Sequence, residues 1–210
     1  MTPELEAYLT GHMDEEPVVL KALNRYTHAH VLSPRMLSGA VQGRILSFLC
    51  TMIRPRNILE IGTYTGYGTL CLAEGLQPGG HIHTLEINDE IVDIALKFFH
   101  LAGREQEITL HTGSALTLIP TLDEFFDLVF MDADKSQYCE YYDLVFPKIR
   151  PGGYLFADNT LWNGAVLNSA PPTDKSGKGI VAFNERVARD KSVQKIILPF
   201  RDGLTLIRKI

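Results

Sequence analysis

The sequence predicts an α/β fold: a seven-stranded, mostly parallel sheet with helices on both faces and an antiparallel C-terminal hairpin. Three observations predict it. From Asn57 onward, short apolar runs alternate with helical patterns, which is the signature of parallel strands joined by crossover helices. The first such run, Asn57–Ile61, breaks into a glycine-rich turn, Gly62-Thr63-Tyr64-Thr65-Gly66-Tyr67-Gly68, that leads into a helix. Four acids, Glu60, Glu86, Asp132 and Asp158, fall at the C-terminal ends of predicted strands, the edge where open α/β sheets bind ligands.

The elements follow in order. Residues 2–12 read as a short helix, with Thr2 as cap and Pro3 at the first helical position. Residues 16–29 form a second helix ending near His28 and His30; these lack a third ligand nearby and read as packed or surface histidines rather than a metal site. After the Ser33-Pro34-Arg35 break, Leu37, Val41, Ile45, Phe48 and Met52 recur at helical spacing over 36–53 and predict a helix that buries this stripe. Strands are predicted at 57–61, 81–86, 107–111, 126–131 and 154–157. Asn88 is placed to cap the helix that ends near Gly103, with Asp89 and Glu90 in its first turn. A helix over 137–148 precedes the Pro151-Gly152-Gly153 turn into the fifth strand. Residues 161–178 read as a loop, 179–190 as a helix, and 194–200 with 203–209 as the closing hairpin.

Length and composition bound the function. The 210 residues, 45% of them hydrophobic, suit one domain over 1–210 whose first 35 residues are a helical extension. A net charge of −5 with no dense basic run argues against a nucleic-acid partner. Cys50, Cys71 and Cys139 are widely spaced in apolar settings and read as reduced thiols. The N-terminus has no apolar signal core, and no run of about 18 apolar residues reads as a membrane span, so a cytoplasmic protein with no membrane partner is expected.

The glycine turn reads as a ligand site, a tight strand-to-helix turn without a ligand being its alternative use. Glycines let backbone approach a ligand where a side chain would block it. The dinucleotide pattern G-x-G-x-x-G is absent. The spacing Glu60-x-Gly62-x-x-x-Gly66 resembles instead the first motif of class I S-adenosylmethionine (SAM)-dependent methyltransferases. Glu86, 26 residues after Glu60 at the end of the second strand, stands where a nucleotide-type half-fold places an acid on ribose hydroxyls; capping the next helix is its alternative use.

The remaining acids point to a cation. Asp132 and Asp158 end neighbouring predicted strands, so Asp132, Asp158 and Asn159 converge as hard oxygen donors. Such a set suits octahedral Mg²⁺ better than Zn²⁺, with Mn²⁺ or Ca²⁺ also compatible. Lys135, three residues past Asp132, can aim its amine at a metal-bound substrate hydroxyl; a solvated lysine paired with Asp134 is the alternative. Trp162, the single tryptophan, is a candidate wall for an aromatic ring or a core residue.

Taken together, Leu59-Glu60-Ile61-Gly62-Thr63-Tyr64-Thr65-Gly66-Tyr67, Leu85-Glu86, Met131-Asp132-Ala133-Asp134-Lys135-Ser136-Gln137-Tyr138, Asp158-Asn159-Thr160-Leu161-Trp162, Phe183-Asn184 and Leu198–Thr205 carry a resemblance to the metal-dependent O-methyltransferases of the catechol and caffeoyl-CoA type, particularly their bacterial members. It runs from about residue 34 to the C-terminus. The resemblance implies the Rossmann-like class I methyltransferase fold and a homodimer. It implies that Glu60, Gly62, Tyr64 and Gly68 line the amino-acid end of SAM, that Glu86 holds the ribose, and that Ser114, Asp132 and Asp134 border the cofactor. It implies a divalent metal on Asp132, Asp158 and Asn159, with Lys135 as general base acting with Asp132, and a vicinal dihydroxy aromatic, free or as its CoA ester, as methyl acceptor. This chain departs from the family at Gly68, where Ser is common, and at Arg201-Asp202-Gly203, where Gly-Asp-Gly is usual; the resemblance is weakest over 1–35 and 161–178. Other readings of the same residues are a SAM-dependent methyltransferase of another acceptor class, a nucleotide-linked oxidoreductase, a non-catalytic SAM binder and a nucleic-acid methyltransferase.

Overall fold

The computed structural model describes residues 2–168, 170 and 172–210. In chain order the elements are α1 (Pro3–Thr10), α2 (Val18–His30), α3 (Gly39–Ile53), β1 (Asn57–Ile61), α4 (Tyr67–Ala73), β2 (His81–Glu86), α5 (Val92–Leu101), β3 (Ile108–Thr112), α6 (Ala115–Leu118), β4 (Phe126–Met131), α7 (Tyr138–Val145), β5 (Ile149–Asp158), α8 (Lys175–Arg189), β6 (Val193–Leu198) and β7 (Leu204–Lys209). The seven strands form one mixed sheet in the order β3-β2-β1-β4-β5-β7-β6, with β6 and β7 antiparallel as the hairpin pattern predicts. The chain divides into two compact units, Met1–Arg56 with Thr63–Gly113, and Asn57–Gly62 with Ser114–Ile210.

In the first unit, α1 starts as its sequence dictates. Thr2 accepts a hydrogen bond from the Leu5 amide (3.3 Å), Pro3 occupies the first turn, and Glu4 and Glu6 face the positive helix end. Leu20, Leu23 and Thr27 form the buried stripe of α2. Strands β2 and β3 pair in parallel, Ile82 opposite Ile108 and Glu86 opposite Thr112. His28 and His30 each bond the backbone carbonyl four residues earlier through Nδ1.

Helix α3 corrects two expectations. It begins at Gly39, because Pro34–Met36 forms a separate 3₁₀ turn. Its buried face is Val41, Gln42, Gly43, Leu46, Ser47 and Cys50, while Phe48 and Met52 are exposed. The reason is close approach to α4. A Cβ on Gly43 would stand 2.7 Å from the Tyr67 ring and 2.8 Å from Cys71 Sγ, so small residues rather than the larger apolar ones must face the neighbour. The turn and helix together, Pro34–Ile53, make a 20-residue stretch that is long and apolar enough to cross a membrane, contrary to the sequence reading. Yet Arg44 in this stretch is held by both Glu74 oxygens at 2.7 and 2.5 Å, which marks it as a packed helix of this unit.

The second unit is organised on β1, β4 and β5, parallel with Ile61 opposite Met131 and Met131 opposite Ala157, followed antiparallel by β7 and β6. Its core is aromatic: Phe126, Phe130, Phe156, Phe183 and Tyr138 are each at most 1% exposed. Strand β5 is longer than predicted. It starts at Ile149 and carries Pro151-Gly152-Gly153 inside it, where the register against β4 shifts between Phe126 and Leu128. That is the signature of a bulge, which Gly152 at φ +80° accommodates. Helix α8 begins at Lys175 rather than 179, because Asp174 caps it by accepting from the Gly177 amide (2.7 Å). The predicted 161–178 loop therefore contains a 3₁₀ segment, Trp162–Leu167, and the first turn of α8; residues 169 and 171 of it lie outside the described residues.

Candidate active site

The four strand-end acids take their predicted positions. Glu60 and Asp158 lie within the last two residues of their strands, Glu86 ends β2, and Asp132 follows β4 directly. Tyr64, Gly68 and Glu86 belong to the first unit; Glu60, Gly62, Ser114, Asp132, Asp134, Lys135, Asp158 and Asn159 belong to the second.

In the first unit the turn is left-handed at Tyr64 (φ +52°) and at Gly66 (φ +89°). Glycine is required at 66, because a Cβ there would meet the Phe99 ring at 2.5 Å. Tyr64 has a Cβ and adopts this conformation at a cost of about 1–2 kcal/mol. Its amide donates to Glu86 Oε2 at 2.7 Å, while the Asn88 amide donates to Glu86 Oε1 at 2.8 Å. Each carboxylate oxygen thus keeps a lone pair for a further donor. The capping role weighed for Glu86 falls to Asn88, whose side chain accepts from the Glu90 amide at 3.1 Å. Glu86 is 7% exposed, so a charge held there relies on these bonds. Gly68, the position that departs from the family pattern, is buried in the first turn of α4.

In the second unit Gly62 (φ +103°) packs directly on the strand end beside it. A Cβ at this position would lie 2.1 Å from the Asp132 carbonyl oxygen. The Asp132 amide in turn donates to Ile61 O at 2.9 Å. Lys135 Nζ donates to Asp132 Oδ1 at 2.5 Å, with the lysine side chain 13% exposed. The alternative of a solvated lysine paired with Asp134 does not hold: Asp134 accepts from the Ser136 amide and hydroxyl at 2.9 and 2.8 Å and caps the Lys135–Gln137 turn. Ser114 precedes α6, with its carbonyl accepting from the Thr117 and Leu118 amides.

Tyr138 joins the ends of β4 and β5. Its buried hydroxyl lies 3.1 Å from both the Met131 and Asp158 carbonyl oxygens. Burial first, and then the negative charges of Asp132 and Asp158, hold its hydroxyl well above the ordinary tyrosine range, so it stays a donor. Beyond β5 the chain turns through Asn159 in the left-handed region (φ +59°), with the Asn159 amide donating to Asp158 Oδ1 at 2.8 Å. The next residue is bolted from three sides. Thr160 donates its amide to Gly203 O (3.1 Å), bonds the Thr205 hydroxyl (2.8 Å), and accepts from Asn184 Nδ2 (2.7 Å). Asp202 accepts from the Asn163 amide. These supports were not singled out as functional from sequence, although Tyr138, Asn184, Asp202 and Gly203 all lie in the segments that carry the family resemblance. Trp162, left-handed at φ +46°, is half-exposed rather than core.

The donor set fits a hard divalent cation. Asp132 and Asp158 continue the ladder that pairs Met131 with Ala157, which puts them on strands about 4.8 Å apart. Their joint field reaches Tyr138. Among the described residues no group of three or more His, Cys, Asp or Glu is arranged to hold a metal; Asp132, Asp158 and Asn159 are hard oxygen donors, a chemistry that suits Mg²⁺ better than Zn²⁺.

Comparison with known proteins gives one answer. The sequence profile of the O-methyltransferase family matches residues 10–210. Caffeoyl-CoA O-methyltransferase 5 of Nicotiana tabacum is 34% identical over 96% of this chain and 88% of its own length. The caffeoyl-CoA O-methyltransferase of Petroselinum crispum is 35% identical, with the same two coverages. Among solved structures, the O-methyltransferase TomG of Streptomyces achromogenes, involved in tomaymycin synthesis and crystallised with SAM, superposes with a TM-score of 0.92 at 29% identity, covering 100% of this chain and 99% of its own. The O-methyltransferase of Bacillus cereus, crystallised with SAH, reaches 0.92 at 29% identity over 99% and 97% of the two chains.

Proposed function

This chain belongs to the O-methyltransferase family and is a SAM-dependent enzyme, and on that premise we propose that it methylates one hydroxyl of a vicinal dihydroxy aromatic, free or as a CoA ester, with a divalent cation at Asp132, Asp158 and Asn159. The observation that carries the reading is the pairing of Lys135 with Asp132 at the end of β4, beside Asp158 at the end of β5. A binder without chemistry has no use for that set, and no dinucleotide motif supports an oxidoreductase.

In the first unit, Glu86 is the proposed acceptor for ribose hydroxyls, already oriented by two backbone amides. Tyr64 and Gly68 are assigned to the same cofactor. In the second unit, the family resemblance assigns Glu60, Gly62, Ser114 and Asp134 to SAM; Gly62 is there because the Asp132 backbone leaves no room for a Cβ. A divalent cation, when bound, lowers the pKa of a coordinated hydroxyl and fixes the acceptor's orientation. The rest of the chemistry belongs to the chain. Asp132 can hold either the lysine ammonium or the cation. Lys135, held by Asp132 at 2.5 Å, is the residue proposed to take the acceptor hydroxyl's proton as general base. Tyr138 ties the two strand ends together through the Met131 and Asp158 carbonyls. The methyl of the SAM sulfonium is already activated, so alignment for in-line displacement is the protein's main remaining contribution.

The test is a methyl-transfer screen over catechols and their CoA esters, compared with the corresponding monohydroxy compounds, with and without Mg²⁺ or Mn²⁺. Transfer to the diols that requires metal supports the reading. Equal transfer to monohydroxy acceptors, or full activity in excess EDTA, overturns it.

A further inference from the structure

Three residues of the N-terminal segment reach the same short turn. Tyr67, the first residue of α4, donates its hydroxyl to Glu16, just ahead of α2. Thr27, on the buried face of α2, donates its hydroxyl to Thr65 Oγ1 at 3.1 Å, and both side chains are 0% exposed. Tyr64 donates its hydroxyl to the carbonyl of Ser33 at 3.2 Å. Positions 64, 65 and 67 of the turn are therefore tied, one by one, to positions 33, 27 and 16. All six residues lie in the first unit.

We infer that Glu16 and Thr27 are positioning residues for SAM: they hold the 64–67 turn in its binding conformation, so that the cofactor does not have to order it. The inference rests on the reading that this turn and Glu86 receive SAM. The physical case has two parts. The turn contains a non-glycine residue in the left-handed region, a conformation that persists only where surrounding structure over-determines it. The Tyr64 amide is also one of the two donors that orient Glu86, so any relaxation at 64 disorients the proposed ribose acceptor. A site ordered in advance binds more tightly because less freedom is lost on binding. The Thr27–Thr65 bond is the most informative of the three. Both hydroxyls are buried, and a threonine pair between a helix and a turn is a poor choice for packing alone when valine has the same shape. The segment from Glu16 to Ser33 thereby acquires a role in donor binding.

The experiment measures SAM affinity by calorimetry on the full chain, with melting temperature and rate at saturating SAM recorded for each variant. Thr27→Val and Tyr67→Phe each remove one hydroxyl and should weaken SAM about fivefold, the size of one net hydrogen bond. The rate at saturating SAM should stay within about twofold. Thr27→Ser, which keeps the hydroxyl, should restore wild-type affinity; a melting temperature lowered with SAM affinity unchanged in Thr27→Val and Tyr67→Phe would make the ties purely structural and overturn the inference. Glu86→Gln is the control. If it weakens SAM while Thr27→Val and Tyr67→Phe do not, the positioning role fails; if none of the three weakens SAM, the cofactor site itself is misassigned.

Discussion

The carbonyl oxygen of Lys135 lies 2.2 Å from where a β-carbon on Gly179 would stand. Helix α8 thus carries a glycine where it presses on the backbone of the proposed base. Gly179→Ala has to push that backbone away. A displacement of about 1 Å at a reacting group costs on the order of 100-fold in rate. The expected result is a fall of that order in kcat with SAM affinity within twofold, read by steady-state kinetics and calorimetry.

Asp132→Asn and Asp158→Asn keep size and remove charge. Each should lower methyl transfer by more than about 100-fold, and excess Mg²⁺ should recover only part of the loss. SAM binding measured without metal should persist. Wild-type activity in either variant would remove the aspartates from the proposed metal site.

Lys135→Gln separates the base from the cation. The glutamine variant should lose at least about 100-fold in kcat, the low end of what a general base contributes, with SAM affinity within about twofold of wild type. A kcat within about twofold of wild type would dismiss Lys135 as the base.

Tyr138→Phe tests the brace between β4 and β5. Its buried hydroxyl serves two backbone carbonyls, so the loss should cost about 1–3 kcal/mol of stability, seen in urea or thermal melts. The same residue sets a pH dependence. Its folded-state hydroxyl is held well above the ordinary range, chiefly by burial, so the unfolded chain gives up that proton first. Stability is therefore full below a pH of about 10 and falls as pH rises past it. The Cys50 thiol, pushed up to about 12 by burial, adds to the decline in the same direction from a pH of about 8.5. Melts from pH 8 to 11 should show a shallower alkaline slope in Tyr138→Phe than in the wild type.

Several features were legible because they are local. The Asn57–Ile61, His81–Glu86 and Phe126–Met131 strands stand where the apolar runs place them. Thr2 and Asn88 cap the turns that follow them, as their residue types dictate. The misread features depend on what lies across from them. The stripe chosen for α3 counted Phe48 and Met52, yet Gly43 faces the neighbour, because only its missing side chain admits the Tyr67 ring. The Pro-Gly-Gly run looked like a turn before β5, yet it is a bulge within it, because β4 supplies a partner on both sides of the irregularity.

By itself the sequence determined the fold class, the SAM cofactor and the placing of acids at the strand ends, since an acid–glycine turn and acids at strand ends are patterns of spacing along the chain. The tertiary structure alone decided the pairings: Lys135 with Asp132 rather than Asp134, Tyr138 across two strand ends, and Thr27 on Thr65. Spacing encodes what a residue's near neighbours allow. A hydrogen bond between residues 38 positions apart exists only once helix and turn have packed, and no local pattern of residue types announces it.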